Sequence, residues 1–237
     1  MKQKPGKLYL IPTPIGASPD FPLVCFNSSI LHGIHVFVVE AEKSARKFLK
    51  QCAYPHPFEH QVFLELNEHT HDTEAGAFLS YVLEGRDAGL MSEAGLPCIA
   101  DPGAKAVRLA HTHGIEVIPL PGPSSVFLAL MASGGNGQQF TFHGYLPIAK
   151  HSRQVKLRDI EHLAGKTGAS QIFMETPYRN ISLIEQILHT CRPDTMLCIA
   201  CDLLGPQQKI ITDTVAGWKV RQAGEFRKIP AVFIMFR

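Results

Sequence analysis

Residues 88–120, AGLMSEAGLPCIADPGAKAVRLAHTHGIEVIPL, decide the fold class. Ala88–Ser92 is an apolar run of strand length. It leads into Glu93–Gly103, a loop dense in small residues, Gly and Pro. Ala104–His113 then reads as a helix and Glu116–Leu120 as a second strand. Strand, helix and strand in that order make the unit of a parallel sheet, because a parallel neighbour can be reached only by a crossover.

The same alternation extends outward in both directions. Leu8–Pro12, Gly33–Glu40 and Val62–Leu66 read as strands, Ser44–Cys52 and Thr73–Leu83 as helices. Beyond residue 120, Phe140–Gly144, Gln171–Glu175, Met196–Cys201 and Ala231–Phe236 read as strands. Ser152–Leu163 and Ile181–Thr190 read as helices, and a helix runs from Ser124 and Ser125 through Ala132. Pro121-Gly122-Pro123 is the sharpest break, since two prolines around a glycine continue neither strand nor helix. The chain is therefore expected to be α/β with two α/β domains, residues 1–121 and 122–237, the second with more antiparallel pairing.

The chain has 237 residues, 45% of them apolar, enough for one large core or two smaller ones. Lys and Arg number 23 against 21 Asp and Glu, a formal charge of +2. That balance excludes disorder as the main state, and it supplies no general electrostatic grip on nucleic acid. No apolar run approaches the roughly 18 residues of a membrane span. Lys2, Lys4 and Lys7 are followed by no signal-type apolar segment, so the expected location is cytoplasmic, with no membrane partner.

Cys198 and Cys201 form a C-x-x-C inside a strand-like run, where their side chains face opposite sides of a sheet. They read as structural thiols. His69-x-His71 and His111-x-His113 lack the i, i+4 spacing of a zinc helix, and no metal site is expected.

Ligands of α/β sheets bind beyond the carboxyl ends of the strands. Three loops stand there: Pro12–Gly16, Ser92–Pro97 and Pro121–Ser125. Their small residues let a backbone approach a ligand closely, although each loop also reads as an ordinary tight connection. No G-x-G-x-x-G follows a strand, and there is neither a G-x-x-x-x-G-K-[ST] nor a G-x-S-x-G. A Rossmann dinucleotide enzyme, a P-loop NTPase and a serine hydrolase are disfavoured accordingly.

Taken together the loops carry a resemblance. Leu8-Tyr9-Leu10-Ile11-Pro12-Thr13-Pro14-Ile15-Gly16 and the stretch Met91–Gly103 resemble motifs of the tetrapyrrole methylase superfamily, in its branch that methylates ribosomal RNA ribose. Pro119–Ser125, Phe142–Pro147 and Phe173–Arg179 follow in the same order as the corresponding motifs of that branch. The resemblance implies a two-domain methyltransferase with S-adenosylmethionine in a cleft between the domains, usually a homodimer. It implies Pro14, Ser92, Ala94, Gly95, Leu96, Ser124 and Ser125 at the cofactor, with Met174 and Glu175 near its methionine end. It implies RNA, or the small ribosomal subunit, as partner.

The chain departs from that branch on its substrate side. Ala41-Glu42-Lys43-Ser44-Ala45 stands where the branch has A-E-D-T-R, and Cys201-Asp202-Leu203-Leu204-Gly205 where it has R-E-L-T-K. Lys228-Ile229-Pro230 replaces K-G-E.

Methyl transfer from a sulfonium is an in-line displacement dominated by positioning. A ribose hydroxyl must also lose its proton, and Glu42, Glu93 and Glu175 are the candidate acceptors. Each also reads as a solvated loop carboxylate or a helix-terminus charge. Arg153 and Lys156, in the basic segment Lys150–Arg158, are candidates for RNA phosphates and otherwise a solvated helix face; Arg179 either meets a phosphate or pairs with a carboxylate. The leading expectation is a ribose 2'-O-methyltransferase of small-subunit ribosomal RNA. The alternatives are a small-molecule, tetrapyrrole-type methyltransferase and a cofactor-binding module without catalysis.

Overall fold

A computed structural model describes residues 4–16, 27–67, 70, 76–221 and 223–237. Cys25, His69, His71 and the start of the helix expected from Thr73 lie outside the described residues. The chain divides into two compact units. The first reaches to Ser124 and the second runs Ser125–Arg237, with Gly16 grouped in the second.

The first unit is built on a five-stranded sheet of β1 (Leu8–Ile11), β2 (Val36–Val39), β3 (Val62–Glu65), β4 (Ala88–Met91) and β5 (Val117–Pro119), in the order β3-β2-β4-β1-β5. Every pairing in it is parallel. β2 and β4 are buried along their whole length, which is why they read as continuous apolar runs instead of alternating ones. The connecting helices are α1 (Ser28–Leu31), α2 (Glu42–Gln51), α3 (Phe78–Leu83) and α4 (Ala104–Thr112). α2 presents Ala45, Phe48 and Leu49, at i, i+3 and i+4, to the core. Glu42 sits in its first turn and Lys50 in its last, each at the favourable end of the helix dipole. Because all five strands run the same way, their carboxyl ends open on one edge, and that edge carries the loops Pro12–Gly16, Ser92–Pro97 and Pro121–Ser125.

The second unit begins with α5 (Ser125–Ser133). Its sheet contains β6 (Phe140–Tyr145), β7 (Ser170–Glu175), β8 (Met196–Cys201), β9 (Lys209–Thr214) and β10 (Ala231–Phe236), in the order β6-β7-β10-β8-β9. Only β6 and β7 are parallel; the other pairs are antiparallel. α6 (Lys150–Thr167), α7 (Asn180–Thr190) and the short α8 (Val215–Trp218) complete the unit. α6 is longer than its sequence reading, and Gly168, left-handed at φ 67°, ends it with its N–H on Ala164 O at 3.0 Å. The core stacks Phe173 on Phe233 at 5.7 Å and anchors Trp218 through Nε1–H to Leu197 O at 2.8 Å. Cys198 and Cys201 are both buried and unbridged in β8. β9 was not apparent from sequence, because this edge strand is half-exposed and carries only two consecutive apolar residues. Among the described residues, no helix is long and apolar enough to cross a membrane.

Candidate active site

Strands β4, β1 and β5 are neighbours, so the loops that leave their carboxyl ends meet. Thr13 and Gly95 form an isolated antiparallel bridge, and Thr13 Oγ1–H donates to Ser92 O at 3.2 Å. Gly122 presses on Pro12: a Cβ added to it would lie 2.1 Å from Pro12 Cβ. Asn27 Nδ2–H holds Pro121 O at 3.1 Å. Gly95 is left-handed at φ 82°, and a Cβ there would come within 3.2 Å of Ile15 Cγ2. The glycine is thus required by backbone geometry and by packing on Ile15, where the sequence reading looked only to close approach of a ligand.

These contacts gather Pro14, Ser92, Ala94, Gly95, Leu96 and Ser124 on one edge of the first unit. Ser92, Gly95 and Ser124 are buried, Pro14 and Leu96 half-buried, and Ala94 exposed. Small apolar groups, backbone amides and two serine hydroxyls are a donor set that fits an adenine and a ribose. Ser125 and Met174 belong to the second unit, Ser125 as the first residue of α5 and Met174 half-buried in β7.

Beside the loops lies an acidic edge. Glu93 is exposed, and its carboxylate accepts Ser44 Oγ–H at 3.0 Å. Its N–H reaches Glu40 Oε2 at 3.3 Å. Glu42 pairs with Arg46 one turn along α2, and its N–H reaches Glu65 Oε1 at 3.3 Å. Arg46 in turn lies over the rings of Phe63 and Phe58, at 5.1 and 5.7 Å. A small pocket is lined by Glu40, Ser92, Pro97, Cys98 and Asp101. Burial, together with the charges of Glu40 and Glu93 and opposed by the Ser92 hydroxyl, pushes Asp101 up to about 6. Burial and Asp101 push the Cys98 thiol up to about 11, so it is no thiolate nucleophile. Cys98 and Ala100 are left-handed at φ 69° and 66°, a strained loop of the kind that accompanies function. Asp101 lies within the quoted motif, but its partner Glu40 is distant in sequence, so no role was assigned to it. Among the described residues, no group of three His, Cys, Asp or Glu side chains could hold a metal.

The second unit holds the remaining candidates. The Glu175 side chain has no exposed surface. Its Oε1 accepts Thr176 N–H at 2.7 Å and Arg179 Nε–H at 2.9 Å, with Arg179 Nη2 at 2.7 Å. Arg153 Nη1 stands 3.7 Å from its other oxygen. Arg153 is 4% exposed and donates to Gln186 Oε1 at 2.5 Å and Ser182 Oγ at 2.9 Å. The reading of Arg153 as a contact to RNA phosphates, and equally as part of a solvated helix face, is corrected by this burial: it faces inward and braces Glu175. The signal was present, since Arg153, Leu157, Ile160 and Ala164 follow helical spacing on one buried face. Lys156 is half-exposed; partial burial, and after it the charge of Lys156, lowers the half-buried His143 imidazole, opposed by its hydrogen bond with Gln171. Glu175, sealed between two guanidiniums, is not placed to take a proton from a ligand. Glu93 is.

Comparison with known proteins agrees with this fold. The model of the tetrapyrrole (corrin/porphyrin) methylases matches residues 7–217. A protein of Xylella fastidiosa named ribosomal RNA small subunit methyltransferase I is 28% identical over 231 residues, 98% of this chain and 81% of that protein. The Vibrio cholerae protein of the same name is 31% identical over 83% of this chain, which spans 64% of it. Among solved structures, the methyltransferase CobJ aligns with a TM-score of 0.62 at 17% identity, covering 97% of this chain and 93% of its own. A uroporphyrin-III C-methyltransferase of Thermus thermophilus, complexed with S-adenyl homocysteine, aligns at 0.55 and 17%, covering 98% of each chain. At that identity the two structures speak for the fold.

Proposed function

Because the chain belongs to the tetrapyrrole methylase family, we propose that it transfers a methyl group from S-adenosylmethionine to a ribose 2'-hydroxyl of small-subunit ribosomal RNA. The observation that carries this reading is the alignment of nearly the whole chain with a protein named for that RNA. The tetrapyrrole-type alternative has the broad family and the fold, at 17% identity, in its favour, and no relative reported above is named for such an acceptor at higher identity.

The cofactor supplies a sulfonium methyl open to in-line displacement. The first unit contributes Pro14, Ser92, Ala94, Gly95, Leu96 and Ser124 to its binding. The Thr13–Gly95 bridge keeps the loops fixed, so little ordering accompanies binding. Glu93, exposed and oriented by Ser44, accepts the hydroxyl proton. Glu42 orders the start of α2 through its pair with Arg46. Lys156 and Arg179 meet RNA phosphates.

The protein works in the cytoplasm as a homodimer. Phe127 and Met131 on α5, with Phe140 at the start of edge strand β6, support dimerisation: all three are exposed, and Phe127 meets Phe140 edge-on at 5.9 Å. Sedimentation of the purified chain tests the dimer. Incubation with labelled S-adenosylmethionine and small-subunit RNA, followed by mapping of 2'-O-methyl groups, tests the activity. Transfer to a single ribose is expected. Transfer to a tetrapyrrole and none to RNA would overturn the proposal.

A further inference from the structure

β6 and β7 run parallel, so their carboxyl ends open on the same edge of the second sheet. Tyr145, opposite Met174 in the register, is 55% exposed there. Tyr178, in the turn Pro177–Arg179 that follows β7, is 81% exposed. Arg179 comes next, within electrostatic reach of Tyr145. Two guanidiniums share the one Glu175 carboxylate, so the group of Arg153, Glu175 and Arg179 carries a net positive charge, and Arg179 is its partly exposed member.

The chain returns to this turn just before β10. Lys228 N–H donates to Pro177 O at 3.1 Å. Asn180 Nδ2 donates to Phe226 O at 3.2 Å and to Ile229 O at 2.6 Å. This clamp fixes Lys228 in a left-handed conformation, φ 60°, and brings exposed Arg227 and Lys228 beside Tyr178 and Arg179. Two exposed phenol rings and three cations then share one surface, built from three stretches distant in sequence. Aromatic faces accept unstacked bases, and neighbouring cations take the intervening phosphates. A duplex keeps its bases stacked and offers nothing to the rings.

We propose that Tyr145, Tyr178, Arg179, Arg227 and Lys228 form a binding site for an unpaired RNA segment, with bases stacked on the tyrosines and phosphates held by the cations. Glu175 and Arg153 are positioning residues that fix the Arg179 guanidinium. The inference rests on the RNA reading above and assigns the surface that grips the acceptor strand.

The test uses the full chain with a labelled single-stranded RNA and the same sequence annealed as a duplex. Tyr178→Ala should weaken single-strand binding roughly 5- to 100-fold, leaving its salt dependence and duplex binding unchanged. Lys228→Gln should flatten the log–log salt slope by about 0.7. Both side chains are exposed, so unchanged cofactor binding by calorimetry certifies the fold of each variant. Wild-type affinity and slope in both variants would overturn the proposal, as would equal losses on duplex and single strand. So would wild type that binds the small subunit but not its protein-free RNA, which would make this a protein contact. Methyl transfer by wild type is followed in parallel: no transfer to small-subunit RNA rejects the underlying reading, whereas transfer with unaltered RNA binding in both variants rejects this site alone.

Discussion

Thr13 and Gly95 exchange both of their backbone hydrogen bonds, Thr13 N–H to Gly95 O at 2.9 Å and Gly95 N–H to Thr13 O at 3.1 Å. The loops after β1 and β4 are therefore one unit, a two-residue antiparallel ladder at the end of a parallel sheet. The polar backbone of Gly95 is committed to that ladder.

Gly95→Ala is expected to act through the ladder. At φ 82°, an added Cβ costs about 1 kcal/mol of backbone strain and crowds Ile15. The bridge loosens, and the loops that hold the cofactor lose their fixed spacing. We expect a folded variant with roughly tenfold weaker S-adenosylmethionine binding by calorimetry. Equal affinity in a folded, destabilised variant would show that the bridge serves stability alone.

The sheets were legible in the sequence to different degrees. β2 and β4 announced themselves as continuous apolar runs because both faces of a parallel sheet are covered. β9 did not, because an edge strand with Lys209 and Asp213 near its ends has no such pressure on its composition. The three loops could be identified as ligand-facing from their small residues, but their mutual packing, as at Gly122 on Pro12, exists only in three dimensions. Arg153 shows the reverse failure. Its helical spacing from Leu157 and Ile160 marks a buried face, while the basic residues around it give the segment the composition of a solvated one.

Arg153 and Lys156, three residues apart on α6, should separate cleanly on substitution. Arg153→Ala leaves the buried Glu175 carboxylate short of one counter-charge and frees Gln186 and Ser182 of their donor. A loss of about 3 kcal/mol in urea unfolding is expected. Lys156→Ala should change stability by no more than about 0.5 kcal/mol and flatten the salt dependence of RNA binding. If the two variants unfolded alike, Arg153 would not be the brace described here.

Glu93→Gln separates proton transfer from binding. Its carboxylate contacts Ser44 Oγ and, among the described residues, pairs with no cation, whereas Glu42 is paired with Arg46 and Glu175 with two arginines. The substitution keeps the shape and the Ser44 contact while removing the basic group. We expect kcat to fall roughly 100-fold or more, with little change in cofactor affinity. Retained kcat would move the base elsewhere or show that water takes the proton.

Asp101 gives the pH signature of the site. Its carboxyl is pushed from the ordinary 3.8 up to about 6, chiefly by burial and then by the negative charge of Glu40. The native state therefore holds this proton more tightly than the unfolded chain does. The resulting stability is fully present below the unfolded value and is lost as pH rises through the folded one, because between the two the native state binds more protons. Asp101→Asn mimics the protonated form at every pH. Near about pH 4 it should unfold much like wild type, and near about pH 7.5 it should be the more stable protein, by about 1 kcal/mol once solvent screening of this half-buried group is counted. Urea unfolding of both proteins across that range is the measurement. A difference independent of pH would mean that the Asp101 carboxyl is not raised at all, and a variant less stable than wild type at neutral pH would mean that its surroundings stabilise the carboxylate instead of opposing it.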